Sequence, residues 1–142
     1  MRLMSFALTT EQLLARTKTV TRRRGWQFLK VGEQIQPVRK SQGIRKGGHV
    51  ERLGGPIQIV DVRFEPLVRM ELADVAREGF PGWCVEEFIA MFCRTHACQP
   101  QDEVTRIEFA YVAPVEREVE LAPDAATAAL TRTFETLARR HG

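Results

Sequence analysis

The sequence predicts one α+β domain in which a largely antiparallel sheet is combined with short helices. Three segments alternate apolar and polar residues as half-buried strands do, at residues 33–38, 56–64 and 104–112. Between the second and third of these, residues 72–77 and 85–96 have helical spacing. Because the strands and helices do not alternate as repeated βαβ units, the pattern favours α+β over a parallel α/β fold.

The amino-terminal third begins with a short candidate strand over residues 4–8. Thr9 or Thr10 then offers an N-cap to a helix over residues 11–16. The β-branched residues of the next segment, 17–21, disfavour further helix and favour an extended or turning path. This order predicts that the basic segment 16–24 lies at a helix-to-strand junction.

The remaining elements are separated by glycine-rich segments. Residues 39–55 are polar and contain five glycines, which predicts a mobile loop or long hairpin. In the helix over 85–96, the residues Phe88, Met91 and Phe92 lie on one face. After Pro123 an alanine-rich helix is expected to pack back as an appendage. We therefore expect a domain over residues 1–115 and a helical extension over residues 116–142.

Size and composition exclude several classes of protein. A chain of 142 residues that is 44% hydrophobic can bury one core, and no apolar run approaches the ~20 residues that cross a bilayer. The amino terminus does not resemble a secretory signal, so a cytoplasmic location is expected. Glycine-rich phosphate loops, Gly-x-Ser-x-Gly and His-Glu-x-x-His are missing from the sequence, which removes support for those enzymes.

The charge is distributed unevenly along the chain. The first 71 residues carry 14 Lys and Arg against 6 Asp and Glu, and the last 71 carry 7 against 12. Within residues 16–52 the ratio is 11 to 2. Such a concentration of positive charge attracts phosphate, so an anionic partner such as RNA is one interpretation. A solvated surface that keeps the protein in solution is the other.

Lys18 and Thr21 are the candidate reactive pair of the basic segment. A straight strand would place residues three apart on opposite faces, so a turn at Lys18 is required to bring both side chains into one cleft. In that arrangement a lysine of lowered pKa could accept the threonine hydroxyl proton, which would make Thr21 a nucleophile. Neighbouring arginines would favour the neutral amine. The alternative is an exposed basic strand that contacts only solvent.

Two further residues are candidates for contact with a ligand. Glu78 stands at the end of a short helix, where a carboxylate facing a basic cleft can act as acid or base or bind a base edge. Most glutamates at helix ends are simply solvated. Trp83 lies in a loop and is the favoured stacking platform for a base, with core packing as the alternative.

The three cysteines predict neither a disulfide framework nor a strong metal site. An odd number of thiols in a chain without an export signal is expected to stay reduced. Cys93, His96 and Cys98, with Cys84 as a fourth ligand, suggest zinc, but their spacing matches no paired-knuckle pattern. We expect no metal.

Four segments together resemble the ASCH-domain family, which is related to the PUA-like domains that bind RNA and modified nucleobases. These segments are residues 18–23, 30–33, 76–80 and 104–109, within a resemblance that covers about residues 4–112. The resemblance implies a small, mostly antiparallel PUA-like β-barrel flanked by helices, with a ligand cleft between them. Residues 113–142 lie outside it.

The resemblance also implies a role for individual residues. Some members of the family are amidohydrolases that deacylate N4-acetylcytidine, and by analogy Lys18 would be the base, Thr21 the nucleophile and Glu78 the acid/base partner. Arg23 would hold the ligand. Other members are proposed to bind RNA. The expected partner is thus RNA or a modified nucleoside, without a cofactor. The residues expected to contact phosphate are Lys18, Arg22, Arg23, Arg45 and Lys46.

Overall fold

The computed structural model describes residues 1–40 and 48–113. The predicted phosphate ligands Arg45 and Lys46 and the predicted helical extension 116–142 lie outside the described residues. The strands are β1 (Arg2–Ser5), β2 (Val20–Arg23), β3 (Gln34–Val38), β4 (Ile57–Pro66) and β5 (Glu103–Tyr111). The helices are α1 (Thr10–Leu14), α2 (Leu72–Arg77) and α3 (Val85–His96), and single 3₁₀ turns occupy Ala7–Thr9 and Leu67–Arg69.

Within the described residues, the predicted strands and helices are confirmed, apart from small shifts at the amino terminus. β3, β4 and β5 coincide with the three alternating segments, and α2 and α3 with the two helical ones. β1 is shorter than predicted and begins two residues earlier. The strand ends before Phe6 because Ala7–Thr9 already turn as a 3₁₀ helix that leads into α1. The basic segment does lie between a helix and a strand.

The sheet is mixed and open. Its strand order is β1-β3-β4-β5-β2, in which β1 pairs with β3 in parallel and the other pairs are antiparallel. The prediction of a closed barrel is therefore wrong for the described part of the chain. Closure would require the edge strands β1 and β2 to pair. Instead, Ser5 at the end of β1 and Thr21 and Arg23 of β2 line one cleft.

Two apolar clusters hold the described elements together. The first joins strands β1, β3, β4 and β5 to α1 and to Phe6, and the second packs α2 and α3 against the start of β5. Members of the first include Met4, Phe6, Leu13, Ile35, Ile57, Ile59, Ile107 and Phe109. Members of the second are Leu67, Met70, Val75, Phe88, Phe92, Cys98 and Val104. Of the helices described, none is long and apolar enough to cross a membrane.

Candidate functional site

A tight turn after α1 aims Lys18 into the protein. Arg16 adopts a left-handed conformation with φ of 62°, and the amides of Thr17 and Lys18 both donate to the carbonyl oxygen of Gln12, at 3.0 and 3.4 Å. The hydroxyl of Tyr111 then donates to the Lys18 carbonyl at 2.6 Å. These hydrogen bonds hold the bend between α1 and β2 that is needed for Lys18 and Thr21 to reach one cleft.

The amine of Lys18 is buried against Glu78. Their side chains are both 3% exposed, and Lys18 Nζ donates to the Glu78 carbonyl oxygen at 2.6 Å and to Oε1 at 2.9 Å. Burial lowers the pKa of Lys18, and the attraction of Glu78 opposes this shift without cancelling it. Arg23 and Arg22 lower the pKa further by smaller amounts. The pKa of Lys18 is thus lowered, as expected, but burial contributes more to the lowering than the neighbouring arginines do.

Glu78 is held in place by a close approach between α1 and α2. It is the C-cap of α2, and its amide donates to the Asp74 carbonyl oxygen at 2.8 Å. The next residue, Gly79, has a φ of 104°, and a Cβ there would lie 3.0 Å from the Gln12 side chain. Gln12 Nε2 donates to the Gly79 carbonyl at 3.1 Å. A glycine is therefore required beside Glu78 by both conformation and space.

Thr21 and Arg23 alternate with Arg22 along β2 and share one face of the strand. Arg23 Nε donates to Thr21 Oγ1 at 3.1 Å, and the guanidinium lies 4.8 Å from the centre of the Phe6 ring. Within the described residues, no carboxylate lies at ion-pair distance from Arg23. Burial lowers its pKa to about 10, against the attraction of Glu78. Arg23 is therefore a cation at the cleft that has no carboxylate bound to it in the described structure.

Arg22 faces the other way and is engaged by carboxylates. Its side chain is 1% exposed, and its terminal nitrogens contact Asp74 at 2.7 Å, Glu65 at 3.1 Å and Glu78 at 3.3 Å. Arg22 is nevertheless one of the residues that line the cleft, and its ion pair with Glu78 helps to hold that carboxylate in place. Contact between Arg22 and a phosphate stays a prediction.

Thr21 and Arg23 line a cleft of about 210 Å³ together with Lys18 and Glu78. Its polar end is formed by the side chains described above, and its walls are largely aromatic. Among the lining residues are Lys18, Thr21, Arg23, Glu78, Phe6, Phe80, Phe88, Phe92, Met91, Thr95 and His96. The His96 ring lies 4.2 Å from Phe92, and burial, followed by Arg23, lowers the pKa of the imidazole.

Trp83 lies outside the lining of this cleft. Its ring is 4.8 Å from Phe80, is 38% exposed and borders a separate hollow between α2 and the loop before α3. The aromatic side chains that do line the cleft include Phe6, Phe80 and His96. Stacking of a base on Trp83 stays a prediction. The sequence did contain a signal for one wall, because the stripe Phe88, Met91, Phe92 continues at helical spacing to Thr95 and His96.

The cysteines are divided between the two ends of α3. Cys84 is exposed at the start of the helix, whereas the Sγ atoms of Cys93 and Cys98 lie 3.9 Å apart at its end. In the ranges 1–40 and 48–113, no group of three or more His, Cys, Asp or Glu residues is arranged to hold a metal ion.

Known proteins resemble this chain in fold rather than in sequence. No family model matches the chain, and no curated protein matches it. Among solved structures, an ASCH domain from Lactobacillus crispatus JV V101 superposes with a TM-score of 0.52 at 13% identity, covering 77% of each chain. The fold is that of an ASCH domain. Protein EF3133 from Enterococcus faecalis V583, assigned to DUF984, superposes on this chain with a TM-score of 0.56 at 16% identity, covering 79% of this chain and 76% of the other.

Proposed function

We propose that the cleft binds one nucleobase, either in a modified nucleoside or in an RNA strand. The observation that supports this most is that aromatic walls and a hydrogen-bonding end occur in one small cleft. A planar base can contact rings such as Phe6 and Phe80 while its polar edge meets Glu78 and Arg23. A volume of about 210 Å³ suits one base better than a stretch of strand.

The polar end offers both hydrogen-bond types that a base edge needs. Each oxygen of the Glu78 carboxylate accepts a bond from the protein, Oε1 from Lys18 and Oε2 from Arg22, and a carboxylate oxygen has a second acceptor site. It can therefore accept from an exocyclic amine such as that of cytosine. Arg23 supplies donors for a ring carbonyl or a phosphate.

Binding is tested by titrating the full chain with cytidine, N4-acetylcytidine and a short single-stranded RNA. Arg23→Ala is expected to weaken the tightest of these at least about tenfold, as expected for the loss of one charged hydrogen bond. Arg24→Ala is the matched control, because Arg24 is exposed, pairs with Asp102 and does not line the cleft. Equal losses in the two variants, or no binding by the unaltered chain, would contradict the proposal.

The salt dependence of binding distinguishes contact with a single nucleobase from contact with a stretch of RNA. For a single-stranded RNA, each neutralised phosphate adds about 0.7 to the slope of log K against log salt. If Arg23 is the principal contact, the slope stays below about 1. A slope of about 3 or more would instead place several phosphates on the basic segment, and the single-base proposal would fail.

A second candidate is hydrolysis of an N4-acylated cytidine, supported by the setting of Lys18. A neutral amine has two N–H donors, which suffice for the two Glu78 oxygens, and one lone pair that remains free to accept a proton. Thr21 Oγ1 accepts from Arg23, so its own hydroxyl proton is free to be donated. In the described structure, no direct hydrogen bond joins Lys18 to Thr21. Substrate binding would therefore have to bring the Lys18 amine closer to the Thr21 hydroxyl.

The proposed reaction proceeds in two steps. Thr21 Oγ1 bonds to the acyl carbon and its proton passes to Lys18. The bond from that carbon to the exocyclic nitrogen then breaks while Lys18 returns the proton to this nitrogen, which leaves as the neutral amine of cytidine. In the second step the oxygen of a water bonds to the acyl carbon while Glu78 takes one of its protons; the bond from that carbon to Thr21 Oγ1 then breaks, and Glu78 gives the proton to Thr21. The net result converts N4-acetylcytidine and water to cytidine and acetate.

Chromatography of cytidine released from N4-acetylcytidine tests this second candidate. Lys18→Ala and Thr21→Ala are expected to lose turnover, whereas Thr17→Ala should retain it, because Thr17 is exposed and lies outside the cleft lining. Binding without any turnover by the unaltered chain would remove the hydrolase and leave the binding proposal standing.

A further inference from the structure

Cys93 and Cys98 form a thiol pair that neither proposed function uses. Their sulfur atoms are 3.9 Å apart, and the Cys98 amide donates to the Cys93 carbonyl oxygen at 3.2 Å. The two residues face each other because Ala97 between them takes a left-handed conformation, with φ of 51° and ψ of 53°. A non-glycine residue in this region is uncommon, so the surrounding packing must hold it there.

We infer that Cys93 and Cys98 are a redox-active pair that forms an intramolecular disulfide at the end of α3. A disulfide requires the sulfur atoms to approach to about 2.05 Å, which rotations of the two side chains can supply when their backbones already hydrogen-bond. The bond would tie the last turn of the helix, which carries Thr95 and His96 of the cleft, to the turn at Gln99–Asp102.

The surroundings assign different parts to the two thiols. Cys93 is half-buried and borders a shallow apolar hollow with Val85 and Ile89, so a small oxidant can reach it. Cys98 is buried, and its sulfur lies 3.9 Å from that of Cys93, so it is placed to attack a mixed disulfide formed on Cys93.

A low-molecular-weight disulfide such as oxidised glutathione is a sufficient oxidant. The Cys93 thiolate attacks one glutathione sulfur, which forms a mixed disulfide and releases one glutathione thiolate. The Cys98 thiolate then attacks the Cys93 sulfur and releases the second glutathione. Each protein thiol loses one proton, and each glutathione released gains one. The protein pair is thereby oxidised, and one glutathione disulfide is reduced.

Cys84 provides an internal comparison. It precedes Cys93 by nine residues along α3, or about 13.5 Å of helix rise, which is too far for a disulfide between the two. Because it is exposed, its expected product with oxidised glutathione is a mixed disulfide. Cys84→Ser therefore isolates the pair without touching it.

The experiment incubates Cys84→Ser with oxidised glutathione, alkylates the remaining thiols and digests with trypsin. Cleavage after Arg94 separates the two cysteines, so the disulfide is seen as peptide 78–94 linked to peptide 95–106. We expect this linked pair, and a disulfide-to-dithiol ratio at least about tenfold higher in the folded chain than in urea. The unaltered chain is treated in the same way and its intact mass is measured. This shows whether the disulfide also forms without the substitution, in case Cys84→Ser misfolds.

Three results would overturn the inference. They are alkylation of both thiols, glutathione retained on Cys93 without transfer to Cys98, and a linked pair equally abundant in the folded and unfolded chains. None of these outcomes depends on a bound nucleobase, so the inference stands or falls separately from the proposed function.

Discussion

Asp74 is the side chain whose loss we expect to cost the most stability. Its carboxylate accepts from Arg22 at 2.7 Å, from Arg106 at 2.6 and 3.0 Å, and from Arg77 at 2.9 Å. Arg22 and Arg106 are paired across β2 and β5 and are almost fully buried, so Asp74 separates two like charges that lie side by side. Asp74→Asn removes the charge while retaining the shape.

The expected loss is about 3 kcal/mol in the free energy of unfolding. Breaking a buried ion pair typically costs about 3–5 kcal/mol, because the remaining charge is left without a partner. The lower end applies here because Arg22 keeps Glu65 and Glu78, and Arg106 keeps Glu108 at 3.5 Å. For a domain of this size, such a loss lowers Tm by roughly 10 °C.

Urea unfolding followed by tryptophan fluorescence measures this loss. Glu51→Gln is the matched control, because Glu51 also pairs with an arginine, Arg39, but both side chains are exposed. The control should change little, since exposed pairs contribute little. If Asp74→Asn costs less than about 1 kcal/mol with an unchanged m-value, the buried arginines do not depend on Asp74 and the reasoning fails.

The pH dependence gives an independent check. Burial alone would raise the pKa of Asp74, but the hydrogen bonds from Arg106, Arg22 and Arg77 outweigh burial and hold the pKa well below its usual value. A depressed carboxyl pKa contributes stability above the ordinary pKa, and this stability is lost as pH falls through the folded value. The difference between the unaltered chain and Asp74→Asn should therefore be constant from pH 7 to about 5 and shrink below about pH 4.

Two further predictions follow from single residues. Burial raises the pKa of Tyr111, the only tyrosine, to about 12, so its absorbance at 295 nm should titrate near 12 when folded and near 10 in urea. Stability should then fall between about pH 10 and 12, and less so in Tyr111→Phe; a folded midpoint near 10 would contradict this. Gly79→Ala should cost about 2–3 kcal/mol in urea unfolding, because its Cβ would meet Gln12. Gly54→Ala, also at positive φ but with open space around it, should cost about 1 kcal/mol. Equal costs would show that the contact with Gln12 relaxes freely.

Periodicity sufficed to predict the elements, because each strand and helix buries one face. β3, β4, β5, α2 and α3 all carry that signature, and all were predicted within one or two residues. Sheet closure has no such signature. Whether β1 pairs with β2 depends on what fills the space between them, and here Phe6 and the Lys18 turn line a cleft at that position. The resemblance to ASCH domains implied a barrel, whereas the described strands form an open sheet.

The candidate site shows a different limit, which concerns how charge is counted. Three consecutive arginines suggest one basic patch, yet strand alternation places Arg22 on the face opposite Arg23. The partners that bind Arg22, Asp74 above all, come from distant elements and cannot be assigned from local sequence. Arg24 lies beyond the strand and pairs with Asp102. Of a run counted as three positive charges, Arg22 and Arg24 are paired with carboxylates, whereas no carboxylate of the described residues lies at ion-pair distance from Arg23. Net charge over a segment therefore overstates its pull on phosphate wherever alternate residues of a strand are buried among carboxylates.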